Sequence, residues 1–219
     1  MKITFEDVYK RADVHTYIER ADESLCAMGF TEHSYAHVNR VANLSQKILL
    51  ELGYSEREAE LAKIAGILHD IGNMVNRNDH AQSGALLSYR ILENMHADPE
   101  DIATIIAAIG NHDEGTAFPV NPVAAALILA DKSDVRCSRV RNQDFSKFDI
   151  HDRVNYSVKK SELKIKKDSH IELCLTIDTE ICSVMDYFEI FMNRMILCRK
   201  AAEKLNLQFR LRVNNQQLL

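Results

Sequence analysis

Several histidines and one aspartate stand in this chain on helical faces that ought to be apolar. His69 follows Ala62, Ala65 and Gly66 at helical offsets, so it projects from a face of small residues suited to close packing. His37 shares its face with Val41, Leu44 and Ile48, and His112 stacks on Ile109 and Ala108 if the preceding helix reaches it. Asp131 ends the run VAAALILAD, with Ile128, Leu127 and Ala124 behind it on its own stripe. A buried carboxylate is costly unless it is paired, hydrogen-bonded or bound to a metal. One core histidine is more often a hydrogen-bonded structural group than a ligand, but inward-facing polar residues on four separate helices point to a shared ion. Imidazole and carboxylate together suit zinc, iron, manganese, cobalt or nickel. Their wide separation along the chain is expected when a metal pins the helices of a bundle.

The adjacent pair His69-Asp70 adds a specific geometry. Neighbours on a helix point roughly 100° apart, so at a helix end both side chains can reach one ion. The carboxylate can also bridge to a second ion, and Gly72 permits a sharp exit just beyond. The same dipeptide recurs at His112-Asp113 and His151-Asp152, the last of which has no supporting context.

These residues need helices to carry them. The spacing predicts one helix over much of residues 5–28, ending near Gly29, and another over 34–52 stopped by Gly53. Ser55 with Glu58 forms a capping-box signature for a helix running to about Asp70. Asp79 precedes a helix through Met95. Asp98-Pro99 opens one reaching about Gly110, and Asn121-Pro122 opens one through about Val135. After a loop around residues 142–160 the period changes. Leu163 and Ile165, then Ile171, Leu173, Leu175 and Ile177, alternate as in a half-buried strand pair. A long helix from about Thr179 to Leu205 follows, then a strand with Leu207, Phe209, Leu211 and Val213 on one face. The expected fold is mainly α: a helical bundle over residues 1–145 with a small β-β-α-β (α+β) appendage over 146–219. The stripe Ile181, Val184, Met185, Phe188, Phe191, Met192 and Met195 on the late helix reads as core or as a homodimer contact.

Composition narrows the function classes. The chain has 219 residues, 46% hydrophobic and 27% charged, enough to bury a sizeable core. A formal charge of −5 argues against a dedicated nucleic-acid partner. Five scattered cysteines without a CxxC pair, a charged amino terminus and no long apolar run predict a reduced, cytoplasmic protein with no membrane partner.

The series His37 in HVNRVA, His69-Asp70 in GILHDIGN and Asp131 in LILADKSDV resembles the HD superfamily of metal-dependent phosphohydrolases. His80 in HAQSGA and His112 in AIGNHDE are similar to the second-metal positions of its two-metal members. The resemblance covers about residues 30–140 and implies an HD-domain helical bundle. By it, His37, His69, Asp70 and Asp131 hold a first ion; Asp70 bridges; His80 and His112 hold a second, with Asp70, His80 and His112 as catalytic residues. The implied cofactor is one or two divalent ions, Fe, Mn, Zn, Co or Ni, with Mg also compatible. The implied substrate is a small phosphorylated molecule such as a nucleotide, attacked by a metal-activated hydroxide. Lys132, Arg136, Arg139 and Arg141 are candidate phosphate contacts, although cations at a helix C-terminus need no such role. Asn73 stands where the family often has lysine, and neither the GYP signature nor a guanosine-tetraphosphate synthetase motif is present. His33 lies one turn before His37 and reads as a surface or supporting group. His15, His96, His151 and His170 match nothing. A di-iron oxygenase and a non-catalytic regulatory module are the competing readings of the same residues.

Overall fold

The computed structural model describes residues 1–142 and 144–219. Where a single amino-terminal helix is expected, the chain forms α1 (Phe5–Tyr9) and α2 (Ala12–Ala27), parted at Lys10-Arg11. Neither glycine nor proline marks that break. Thr4 and Asp7 close a capping box on α1, while Arg11 takes an extended conformation to restart the helix. Helices α3 (Tyr35–Leu52) and α4 (Glu56–Leu68) form the central antiparallel pair, entered through Ser34 and the Ser55/Glu58 capping box. A 3-10 turn (Ile71–Met74) leads to α5 (His80–Asn94), α6 (Pro99–Gly110) and α7 (Pro122–Lys132). Asp98 and Asn121 cap α6 and α7 just before a proline at the first helical position.

The carboxyl-terminal segment holds α8 (Ile150–Ser157), β1 (Val158–Lys166), β2 (His170–Ile177), α9 (Val184–Lys204), β3 (Gln208–Val213) and the short β4 (Gln216–Gln217). Helix α8 occupies the stretch expected to be loop, started by Asp149 accepting from the Asp152 amide. Helix α9 begins later than the apolar stripe suggests, because Ser183 and Asp186 close a capping box there. The sheet order is β1-β2-β3-β4, with β2 and β3 parallel across α9 and the outer pairs antiparallel. Leu163, Leu173 and Leu211 are in register, so the alternating pattern places one apolar row against α9.

Helix α7 is the spine of the molecule. Every residue from Val123 to Lys132 is buried, because α3, α4, α6 and α9 all pack on it. The expected apolar stripe of α9 splits accordingly: Phe191 and Met195 enter the core beside Tyr187 and Cys198, whereas Met185 is 74% exposed. No helix among the described residues is long and apolar enough to cross a membrane.

Two glycines permit the close approaches that bring the site together. A β-carbon on Gly66 would sit 2.5 Å from the Ala42 Cα, so α3 and α4 touch backbone to backbone there. One on Gly72 would meet the His80 carbonyl oxygen and, at 2.5 Å, the Gly84 amide. Gly66→Ala is therefore expected to force the α3–α4 pair apart, costing about 1–3 kcal/mol and lowering the thermal midpoint by several degrees. A variant melting with the parent in calorimetry would show that the helices do not meet this closely.

Candidate metal centre

Each candidate ligand sits where an element ends or turns inward. His37 lies in the first turn of α3, His69 caps the carboxyl end of α4, and Asp70 follows at the start of the 3-10 turn. His80 begins α5, His112 follows α6, and Asp131 lies in the last turn of α7. Side chains far apart in sequence thus converge. Ligand atoms of His37, His69 and Asp70 lie within 4.8 Å of one another, as do those of His69, His112 and Asp131, and of Asp70, His80 and His112. Asp70 stands between the groups. Its Oδ2 is 3.5 Å from His37 Nε2 and 3.1 Å from His69 Nε2, while Oδ1 is 3.6 Å from His80 Nε2 and 3.9 Å from His112 Nε2.

All four imidazoles are anchored through Nδ1. Nδ1 of His69, His80 and His112 lies within hydrogen-bonding distance of the carbonyls of Gly66, Arg77 and Ile109. A carbonyl only accepts, so Nδ1 carries the proton and Nε2 is left as a lone pair. His37 Nδ1 donates instead to Asp134 Oδ2 at 2.8 Å. The Nε2 atoms of His37 and His69 are buried, and among the described residues nothing meets them in hydrogen-bonding geometry, although carboxylate oxygens lie 3.1–3.8 Å away. His80 Nε2 and His112 Nε2 face each other at 3.2 Å. Two lone pairs so close repel unless a cation lies between or beside them. The donor set therefore fits a divalent ion, and the orphaned nitrogens are the direct sign of it.

Electrostatics prepares the donors. Burial alone would raise the pKa values of Asp70 and Asp131, but neighbouring basic groups prevail and hold both well below the usual carboxylate range. For Asp70 these are chiefly His69 and His37, for Asp131 chiefly Lys132. Lys132 Nζ is 2.7 Å from Asp131 Oδ2. Burial, reinforced by His69 and Lys132, pushes His112 down to about 3, so its ring is neutral at physiological pH. His37 behaves oppositely: burial and Arg139 depress it, yet the carboxylates of Asp131, Asp134 and Asp70 outweigh them and raise it to about 9.

Further groups support the centre, and Asp134 among them carries no obvious mark in the sequence. Asp134 is buried, accepts from His37, and is ringed by Arg40 and Arg136 at 3.1 and 3.0 Å. Its only sequence signal is its place one turn after Asp131. Asn73 donates to Asp70 Oδ1 at 2.9 Å, so the residue standing in place of lysine orients the shared carboxylate. His33 lies against the centre, its ring 5.2 Å from His37, with Nδ1 bonded to the Thr31 carbonyl. Burial, with Arg139 adding to it, keeps its pKa well below 6.5. The four candidate phosphate contacts disperse. Arg139 is buried and lines a cavity beside the centre, and Lys132 is held by Asp131 and Glu114. Arg136 is engaged by Glu32 and Asp134, and Arg141 by Asp22.

The family model of the HD domain matches residues 34–190, more than half of the chain and well into the carboxyl-terminal segment. An uncharacterized protein of Methanocaldococcus jannaschii is 24% identical over 202 residues, covering 82% of this chain and 78% of that one. Ribonuclease Y 1 of Pediococcus pentosaceus is 35% identical over 100 residues, which is 44% of this chain and 17% of the ribonuclease.

The raised pKa of His37 has a sign that can be tested. In the metal-free protein it favours folding with the ring protonated; that contribution is full below about 6.5 and is lost as pH rises through 9. The ion that His37 holds must displace this proton, so its affinity should climb up to about tenfold per pH unit between pH 7 and 9, with one proton released on binding that ion in calorimetry. Affinity that is flat across this range would remove His37 from the ligand set.

Proposed function

The chain belongs to the HD domain family, and from that membership we propose that it is a metal-dependent phosphohydrolase acting on a phosphate ester or anhydride of a small molecule. The observation that carries this reading is the double use of Asp70. One buried carboxylate faces two pairs of imidazole nitrogens, each ring with Nδ1 tied back and Nε2 turned to the centre. In this reading His37, His69, Asp70 and Asp131 would hold one ion, and His80 and His112, together with Asp70, would hold a second. When bound, such ions supply Lewis-acid chemistry, activating water and offsetting phosphate charge. The partial likeness to a protein named as a ribonuclease supports a phosphate ester as the bond attacked.

The remaining residues orient and exclude. Asp134 fixes the tautomer of His37, as carboxylates behind ligand histidines commonly do. Asn73 holds Asp70 Oδ1 by hydrogen bonding, and Lys132 orients Asp131. The low pKa values of His80 and His112 keep both rings neutral and thus able to donate a lone pair. Asp113 Oδ1 lies 3.8 Å from His80 Nε2, and the surrounding basic groups, His80 first and then Lys132, hold its pKa below the usual range against burial. It is ionised at neutral pH and serves as a proton acceptor. His33, neutral and anchored through Nδ1, offers a second acceptor.

Metal-loaded protein is expected to hydrolyse bis(p-nitrophenyl) phosphate or a nucleotide. Asp70→Ala should abolish this and lose bound metal while keeping the helical circular dichroism. Asp134→Asn should weaken metal binding by about 10–100-fold without removing a direct ligand. Metal-loaded, folded protein that leaves a broad panel of phosphate esters untouched would end the hydrolase reading.

A further inference from the structure

Beside the metal centre lies a cavity of about 400 Å³, within the range of small-molecule sites. It touches the centre at two points: His33 lies against His37, and Arg77 Nη1 is 3.5 Å from His80 Nε2. Its lining carries charges of both signs. Arg77, Arg139 and Arg194 supply cations, whereas Asp149 and Asp152, the first of them exposed, stand at the start of α8.

All three guanidinium groups are pre-positioned. Arg77 lies over the Phe30 ring and bonds Asn73 through Nη1. Arg194 lies over Phe191 at 4.3 Å with Nε beside Glu114. Arg139 donates from Nε and Nη1 to the carbonyls of Glu32 and Asp134. A guanidinium carries five N–H donors, so each retains some for a phosphate after these tethers are made. Phe30, 41% exposed, lines the same cavity and carries Arg77 over one face of its ring. A ligand that suits this lining combines an anionic group for the arginines, hydroxyl or amine donors for the carboxylates and a flat face for Phe30.

We propose that this cleft binds a single nucleotide, with its phosphate on Arg77, Arg139 and Arg194 and its base against Phe30. The ribose hydroxyls then donate to the Asp149 and Asp152 carboxylates. Those carboxylates repel further phosphates, which selects one nucleotide unit over a polyphosphate or the middle of a chain. Substrate choice thus draws on Arg194 of α9 and the start of α8 together with Phe30, Arg77 and Arg139, which lie between the ligand-bearing helices or just beyond them. The assignment of phosphate to this cleft rests on the hydrolase reading, but its binding contacts can be measured separately.

The test is calorimetric binding of the non-hydrolysable 5′-methylenephosphonate analogue of adenosine monophosphate to metal-loaded protein. Adenosine and methylphosphonate, which each retain one part of the ligand, should bind at least tenfold more weakly. Arg194→Gln should weaken the analogue at least tenfold with metal content unchanged, and Arg194→Lys should recover part of the loss. Phe30→Ala, at an exposed position, should cost at least fivefold through lost stacking. A phosphorothioate trinucleotide binding with the same dependence supports the assignment and identifies a chain end as the source of the nucleotide. Binding no tighter than methylphosphonate, or indifferent to both positions, overturns it. If bis(p-nitrophenyl) phosphate is still cleaved in that event, the hydrolase reading stands and the cleft assignment alone falls. Residue-dependent binding without cleavage of any ester has the converse meaning.

Discussion

Everything at the centre follows from the cost of keeping Asp70 ionised inside the protein. A carboxylate withdrawn from water is tolerated only where charge or hydrogen bonds replace its hydration. Asp70 is almost fully buried, and its two oxygens divide the work, Oδ2 toward His37 and His69 and Oδ1 toward His80 and His112. The surrounding helices are arranged around that demand. Helix α4 stops at His69 so that consecutive side chains can both point inward, and Gly72 lets the chain pass close enough to α5 to deliver His80.

The second layer gives the first its direction. A histidine free to flip offers either nitrogen, but one with Nδ1 committed to a carbonyl presents only Nε2. Three of the four rings use the carbonyl of a residue three positions earlier, so the local helix or turn geometry sets their tautomers. His37 departs from the pattern, relying on Asp134 from the end of α7. That carboxylate is itself balanced by Arg40 and Arg136, so the charge network extends from the centre to the surface in two steps.

Helix α7 joins this centre to the carboxyl-terminal segment. It presents Asp131 to the site, while α9 packs along it and brings Arg194 to the adjoining cavity. Much of the apolar stripe of α9 is consumed in that contact. Phe191 both fills the core and supports the Arg194 guanidinium, linking packing to the charge of the cleft. The match to the HD domain running on to residue 190 agrees with a bundle whose later helix is integral to it.

The helices of the bundle and five of the six converging residues are legible in the amino-acid sequence, because caps, prolines and misplaced polar groups act within one or two turns; His80 is reached only through the family resemblance. Ser55 with Glu58, Asp98-Pro99 and Asn121-Pro122 mark helix starts by local hydrogen bonding and a fixed φ, whatever the tertiary context. Likewise a histidine or aspartate on an apolar face declares its own burial. The break between α1 and α2, helix α8 and the late start of α9 depend on packing or on competing caps, and periodicity alone did not resolve them. Which cations face the centre was decided only in three dimensions. Arg136, Arg139 and Arg141 lie within six positions, yet Arg139 lines the cavity while the other two are held by Glu32 and Asp22 on distant segments. Arg77 and Arg194 reach the same cavity from elements more than a hundred residues apart. Charge partners at such separations leave no local pattern, since the folded chain alone brings them within range.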